Sequence, residues 1–494
     1  MTPGRLAREL HTADNFWSVT RPHNRTSKRV ALVFAIAAAS WGPALVQTAA
    51  GESSAPPILG DTSSFRSQKE CFHEPVFGDS ACVYEVNRSA PRTVVLVHGI
   101  GGQAEDWEAI IPGLAAQFHV VAVDLPGFGA STRANRLYSV ERYASFLHFV
   151  VERYAREPIE LVGHSLGAAV SLWYAATYPK DVDRLVVADM AGVLHRMSLA
   201  KLAANRWLGN VLAGVPGTGA VVGGWMDEMI GRAGNLPVNA GLVLRTAVTR
   251  ERVLRGDPSR ISAFALAETD FTEIIPKVAA PTLVIWGTED QIASMRTGQV
   301  LAARLQDARL VTLSSDHTPM RAQPQRFLEL TLAHLNGEEI AATWPAHPIP
   351  PIGTSAVSGR CDGESDAVFE GGAFDVVEIR GCSHVEIDNS RIRQLDVSDS
   401  TVFLTNSIVE GTDVAVRLVN TNFTGTAVDI TGEVAVSAEN SNLDLAGVRL
   451  AGRTAAVVAS QPSGIIFSVS RVESPHTDDP TVHDTVKVTP ENPL

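Results

Sequence analysis

The chain has 494 residues, enough at roughly 150 per domain for two or three domains with cores of their own. Its 41 Lys and Arg against 54 Asp and Glu leave a net charge of −13, with no basic run in the body of the chain, which argues against a nucleic-acid partner. Hydrophobic content of 45% and charged content of 19% exclude extensive disorder, and a single strongly apolar, charge-free stretch argues against a multi-span membrane protein.

That stretch, residues 30–51, is the first element in chain order. It follows a segment holding Arg5, Arg8, Arg21, Arg25, Lys28 and Arg29, and it ends in the small residues Thr48, Ala49 and Ala50. Residues 1–50 are therefore expected to be a signal peptide, or a signal anchor that holds the protein at a membrane through residues 30–51. The protein is expected to be exported, to the periplasm or beyond. An extension over residues 51–90 carries Cys71 and Cys82, and Cys361 and Cys382 form a second close pair. Two local disulfides in an oxidising compartment are the reading, although four cysteines allow three connectivities.

Over residues 91–340 short apolar runs alternate with amphipathic stretches. Thr93 to Val97, Val120 to Asp124, Ile159 to Gly163, Leu185 to Asp189, Leu283 to Trp286 and Leu310 to Leu313 read as buried parallel strands. Val140 to Tyr154, Leu166 to Tyr178, Met295 to Leu305 and Pro324 to Leu335 read as helices. The alternation predicts an α/β fold, an open parallel sheet covered on both faces, with a helical cap inserted over residues 192–271.

The texture changes at a Pro-rich linker, residues 341–354. Residues 351–494 hold 9 Arg and Lys against 21 Asp and Glu, a balance of −12, and no Trp or Tyr follows Trp344. Residues 355–475 repeat short alternating strands broken by Asn, Ser, Thr and Gly at roughly 15 to 22 residues, the signature of an all-β parallel solenoid; a β-sandwich is the alternative. Residues 476–494 read as a tail.

The chemistry is concentrated in four loops of the α/β region. Gly163-His164-Ser165-Leu166-Gly167 lies between a strand and a helix, the context in which the sharp turn lifts a serine hydroxyl out of the sheet. His98-Gly99-Ile100-Gly101-Gly102 follows the first parallel strand, so the amides of Ile100 and Leu166 are candidate oxyanion donors, and His98 reads as a turn residue. Asp290 and His317 follow later strands, giving the order Ser165, Asp290, His317 that a relay needs in this topology. Asp189 is a competing acid at the end of an earlier strand, and Asp316 reads as a solvated neighbour of His317. No metal-binding spacing and no phosphate cradle occurs, so neither metal nor cofactor is expected.

Residues of about 90 to 338 resemble the α/β-hydrolase superfamily, in its esterase, lipase and epoxide-hydrolase-like branch, through VLVHGIGG with Trp107, DLPGFG at Asp124 to Gly129, GHSLGA, WGTEDQIA, and DHTPM followed by Arg326-Phe327. The resemblance implies the fold and serine-dependent hydrolysis, with Asp124 structural. Epoxide hydrolases and haloalkane dehalogenases of the branch carry Asp at the elbow, so Ser165 argues against both. Trp107, with Trp207, Trp225 and Met226 of the cap, is a candidate for lining a pocket suited to a small ester or a lipid. Thioester or C–C hydrolysis and acyl transfer fit the same constellation. So does a contrasting role, in which the acidic module contacts polysaccharide or a cell surface and the hydrolase is vestigial.

Overall fold

The structure, a computed structural model, describes residues 69–198, 240–345 and 347–494. Residues 1–68, where the leader is expected, and most of the expected cap, with Trp207, Trp225 and Met226, lie outside the described residues.

Eight of the described strands form one sheet: β1 (Lys69–Glu74), β2 (Asp79–Val86), β3 (Thr93–Val97), β4 (His119–Asp124), β5 (Ile159–His164), β6 (Val182–Ala188), β7 (Thr282–Gly287) and β8 (Ala308–Leu313), in the order β1-β2-β4-β3-β5-β6-β7-β8. From β3 to β8 every pairing is parallel. Successive residues of each strand feed opposite cores. Val95, Val97, Val121, Val123, Leu161 and Val187 join one cluster, while Val94, Leu96, Val120, Ala122, Val162 and Val186 join the other. This two-residue alternation within fully apolar strands is what a sheet covered on both faces requires.

The six parallel strands lie where the sequence predicts them. The first two strands were not anticipated: β1 and β2 pair antiparallel, and β2 runs antiparallel along β4, so the chain from Lys69 onward closes one edge of the sheet. Cys71 stands directly opposite Cys82 in that hairpin and is bonded to it, and Cys361 is bonded to Cys382. Both disulfides fit an oxidising compartment.

Helices α1 (Ile111–Ala115), α2 (Val140–Tyr154) and α3 (Leu166–Thr177) cover the sheet early in the chain; α7 (Met295–Arg304), α8 (Pro319–Ala322) and α9 (Pro324–Leu335) do so late. Between β6 and β7 the described part of the insertion is helical, as α4 (Ala240–Arg245), α5 (Ala247–Leu254) and α6 (Pro258–Ala267). Asp257 caps α6 by accepting from the Arg260 amide at 2.9 Å, with Pro258 at the first helical position.

The C-terminal region is all-β. Among the described residues its strands form a seven-stranded and a nine-stranded sheet, between which the chain alternates. Val385 pairs in parallel with Val402, Asn422 with Asn442 and Asn442 with Gly464, so one turn takes 17 to 22 residues. That is the progression of a solenoid, whereas a β-sandwich would pair its strands antiparallel. The Asn and Asp residues of the repeat sit at corners with left-handed backbone, including Asn389, Asp399, Asn406, Asn420 and Asn440. They bond from coil to coil, the Asn440 amide donating to Asn420 at 2.9 Å and the Asn420 amide to Asp399 at 3.0 Å. Their short polar side chains tolerate this backbone, which explains the periodic Asn in the sequence.

The solenoid is docked on the α/β half. Arg296 on α7 donates to Thr426 Oγ1, Gly425 O, and both the carboxylate and the carbonyl of Asp444, at 2.7 to 2.8 Å. Arg304, at the end of the same helix, donates to Gly447 O and Asp429 Oδ1. Val300 lies between them in one core with Ala446 and Val469. The chain after β6 joins the seam, with the His195 amide donating to Ser468 Oγ at 2.8 Å and Ser198 Oγ donating to Asp444 at 3.0 Å.

Candidate active site

Ser165 sits between the last residue of β5 and the first of α3 with φ +52° and ψ −115°, the strained turn that the sequence predicts. Its amide donates to Ala188 O at 3.0 Å, tying the turn to β6. The tightness of this turn explains its glycines. A Cβ on Gly163 would stand 2.5 Å from Gly167 O and Ser171 Oγ, and one on Gly167 would collide with Val97 O.

The loop after β3 passes directly over the serine. A Cβ on Gly99 would lie 2.9 Å from Ser165 Cβ and 3.1 Å from His164 Nδ1, so only glycine lets the backbone come this close. Ile100 is the next residue. Leu166 opens α3, where an amide has no intrahelical acceptor. The loop is braced from behind: His98 Nε2 accepts from the Leu125 amide at 3.1 Å, and Asp124 accepts from the Ala104 and Ala130 amides at 2.7 and 2.8 Å. Both residues are fully buried and serve the turn.

His317, on the loop after β8, brings the other strand ends together. Ser165 Oγ donates to His317 Nε2 at 2.9 Å, and His317 Nδ1 donates to Asp290 Oδ2 at 2.8 Å. Asp290 also accepts at Oδ1 from the amides of Ile292 and Ala293, at 2.7 and 3.0 Å. Burial alone would raise Asp290, but the donors from His317, Ile292 and Ala293 outweigh it and hold the carboxyl below the ordinary carboxylate range. An ionised Asp290 selects the His317 tautomer whose Nε2 is free to take a proton. The hydroxyl, the ring and the carboxylate thus form one line of hydrogen bonds, with the Asp290 side chain 1% exposed and that of His317 13% exposed.

His164 has a part that sequence reasoning missed. Its Nε2 donates to the backbone carbonyl of His317 at 2.6 Å, clamping the His317 loop onto the serine turn. Burial first, and then the neighbouring His317, push its pKa down to about 3, so the ring is a neutral strut. The only sequence signal was its place inside the elbow.

Trp107 does not belong with the candidate pocket. It is wholly buried in the core beneath the opposite face of the sheet, its ring 6.2 Å from that of Phe327, because the short helix after the glycine loop turns it inward. Phe264 of the cap is half-buried against the other core. Asp316 is exposed and accepts from the Thr318 amide and hydroxyl, as a solvated neighbour does. Asp189 is fully buried beside Asp290 and does not bond His317 in the line above. Among the described residues, Asp189, Asp290 and His317 are the one group of His, Cys, Asp or Glu close enough to share a metal ion, and both nitrogens of His317 are already engaged by Ser165 and Asp290.

Comparison with known proteins bears on this geometry. Residues 92–231 match the family model described as the alpha/beta hydrolase fold. The chain is similar to an uncharacterised protein of Mycobacterium tuberculosis, 27% identical over 282 residues, covering 52% of this chain and 79% of the relative. It is also similar to a monoacylglycerol lipase of Xenopus laevis, 25% identical, covering 48% of this chain and 73% of the relative. A pimeloyl-acyl-carrier-protein methyl ester esterase of Neisseria meningitidis is 28% identical, covering 49% of this chain and 76% of the relative.

Proposed function

Because this chain carries a domain of the α/β-hydrolase superfamily, we propose that it is an exported serine hydrolase that cleaves carboxylic esters through an acyl-enzyme. The observation that carries the reading is the pair of hydrogen bonds running from Ser165 through His317 to Asp290, at 2.9 and 2.8 Å. Ser165 Oγ attacks the ester carbonyl as its proton passes to His317 Nε2, and Asp290 balances the imidazolium that forms. The oxyanion of the tetrahedral intermediate is met by the amides of Ile100 and Leu166. Collapse breaks the bond to the leaving oxygen, which takes the proton from His317. Water then attacks the acyl-serine, His317 removes its proton, and the carboxylic acid departs as Ser165 is restored.

An ester substrate is favoured by the relatives, one a monoacylglycerol lipase and one a methyl ester esterase. Export is favoured by the basic and then apolar leader and by the two disulfides. The test is hydrolysis of p-nitrophenyl esters across acyl chain lengths by the purified protein and by Ser165→Ala. Activity that disappears in the variant, with a chain-length optimum, supports the reading. A folded protein that turns over no ester, but acts on a thioester or a C–C substrate, overturns the ester assignment while keeping the nucleophile.

A further inference from the structure

One buried ionisable group beside the relay has no part in the mechanism above. Asp189 follows β6 directly and is 0% exposed, with a left-handed φ of +43°. Its amide donates to Ile285 O at 3.1 Å, and its Oδ1 accepts from the Gly287 amide at 2.8 Å, so both its backbone and one carboxyl oxygen are held by β7. Its Oδ2 is sealed from solvent and receives no hydrogen bond. Oxygens of Asp189 and Asp290 and a ring nitrogen of His317 all lie within 4.8 Å of one another.

Two carboxylates this close in a dry site cannot both be ionised, because each charge raises the cost of the other and neither is hydrated. Which one keeps the charge is decided by the donors. Asp290 accepts from His317, Ile292 and Ala293, whereas Gly287 donates to Asp189. We propose that Asp189 is a positioning residue that stays protonated at neutral pH and donates its Oδ2 proton to Asp290, giving the relay acid a further donor without a second negative charge. Burial, then the charge of Asp290, raise the Asp189 carboxyl well above the usual carboxylate range, and a hydrogen bond with Asp290 acts in the same direction. The other titratable groups facing the pair are Asp316, His317, and the neutral ring of His164, which lies 4.9 Å from that of His317.

The role is specific. A neutral donor at this place holds the Asp290 carboxyl in the orientation that meets His317 Nδ1, and it tempers the negative charge that the ring feels. Without it, Asp290 becomes a freer and stronger acceptor that favours the imidazolium. The inference rests on the relay proposed for ester hydrolysis, but the proton on Asp189 can be read without substrate.

The test uses the full chain. An infrared difference spectrum between wild type and Asp189→Asn at neutral pH is expected to show the loss of one protonated-carboxyl C=O band; loss of a carboxylate band instead overturns the proposal. In kinetics, Asp189→Asn keeps a donor and is expected to lower kcat by under about threefold, whereas Asp189→Leu removes it and is expected to lower kcat about tenfold with little change in KM. The acid limb of the kcat/KM profile of Asp189→Leu is expected to move to higher pH. Equal losses in the two variants, or a Leu variant with unchanged kcat and acid limb, overturn it. If Asp189→Leu does not fold, the infrared band and the Asn variant decide. A protonated band in a protein that hydrolyses no ester would refute the substrate reading alone.

Discussion

Arg296 is the residue through which the two halves of the molecule are most tightly joined, and its removal has a calculable consequence. It lies at the start of α7, six residues after Asp290, and donates four hydrogen bonds into the solenoid, two of them to Asp444. The side chains of Arg296 and Asp444 are each only 14% exposed, so water does little to screen the pair or to replace it. Arg296→Ala leaves Asp444 with the Ser198 hydroxyl and the Arg304 side of the seam intact, but strips the one cationic partner it has among the described residues. Breaking such a buried pair from one side costs about 3 to 5 kcal/mol. All 8 Trp residues lie at or before Trp344, so tryptophan fluorescence reports the hydrolase half while far-UV circular dichroism reports both. In urea, wild type is expected to give coincident transitions by the two probes, and Arg296→Ala to separate them with a loss of about 3 kcal/mol or more. A double-mutant cycle with Asp444→Asn should return a coupling above about 1 kcal/mol. Coincident transitions in the variant and a loss under about 0.5 kcal/mol, the size of an ordinary surface substitution, would refute the reasoning.

Two further outcomes follow from the site and its supports. Gly99→Ala places a methyl 2.9 Å from Ser165 Cβ; displacing the serine turn should cut kcat/KM about a hundredfold on a p-nitrophenyl ester, and a change under about threefold would contradict that geometry. Burial first of all holds the rings of His164, His195 and His334 neutral, with pKa values down to about 3, 4 and 4 against an ordinary 6.5. Below about pH 6.5 the unfolded chain protonates these rings and the folded chain does not, so stability is full above that pH and is lost as pH falls toward 4, by about 3 kcal/mol for each of the latter two. Urea unfolding at pH 7 and pH 5 should show the loss, and His195→Gln should flatten it; equal stability at both pH values would contradict the assignment.

The parallel strands and their helices were legible because their signals are local. TVVLV, IELVG and LVIW are apolar throughout, as strands buried on both faces must be, and the glycines around Ser165 and after Val97 mark turns that no other residue fits. The spacing of Asn along residues 389–440 likewise announced the corners of the solenoid. Less legible was whatever depends on which distant segments meet. The hairpin of β1 and β2 alternates too weakly to announce that it completes the sheet edge. Trp107 follows the glycine loop that covers Ser165, yet one helical turn sends its ring to the far side of the sheet. Arg296 reads in sequence as an ordinary polar residue of an amphipathic helix; that it anchors a second body became visible only when residues 425 and 444 came beside it. Asp189 could be seen as an acid at a strand end, but only its distance from Asp290 separates a rival for His317 from a partner of Asp290.

The measurement that bears most directly on the account is covalent capture of the nucleophile by a fluorophosphonate, read by intact mass and peptide mapping on wild type, Ser165→Ala and His317→Ala. The account predicts one adduct, on Ser165, absent in the first variant and strongly slowed in the second. An adduct on another serine, or none on a folded protein, would contradict it.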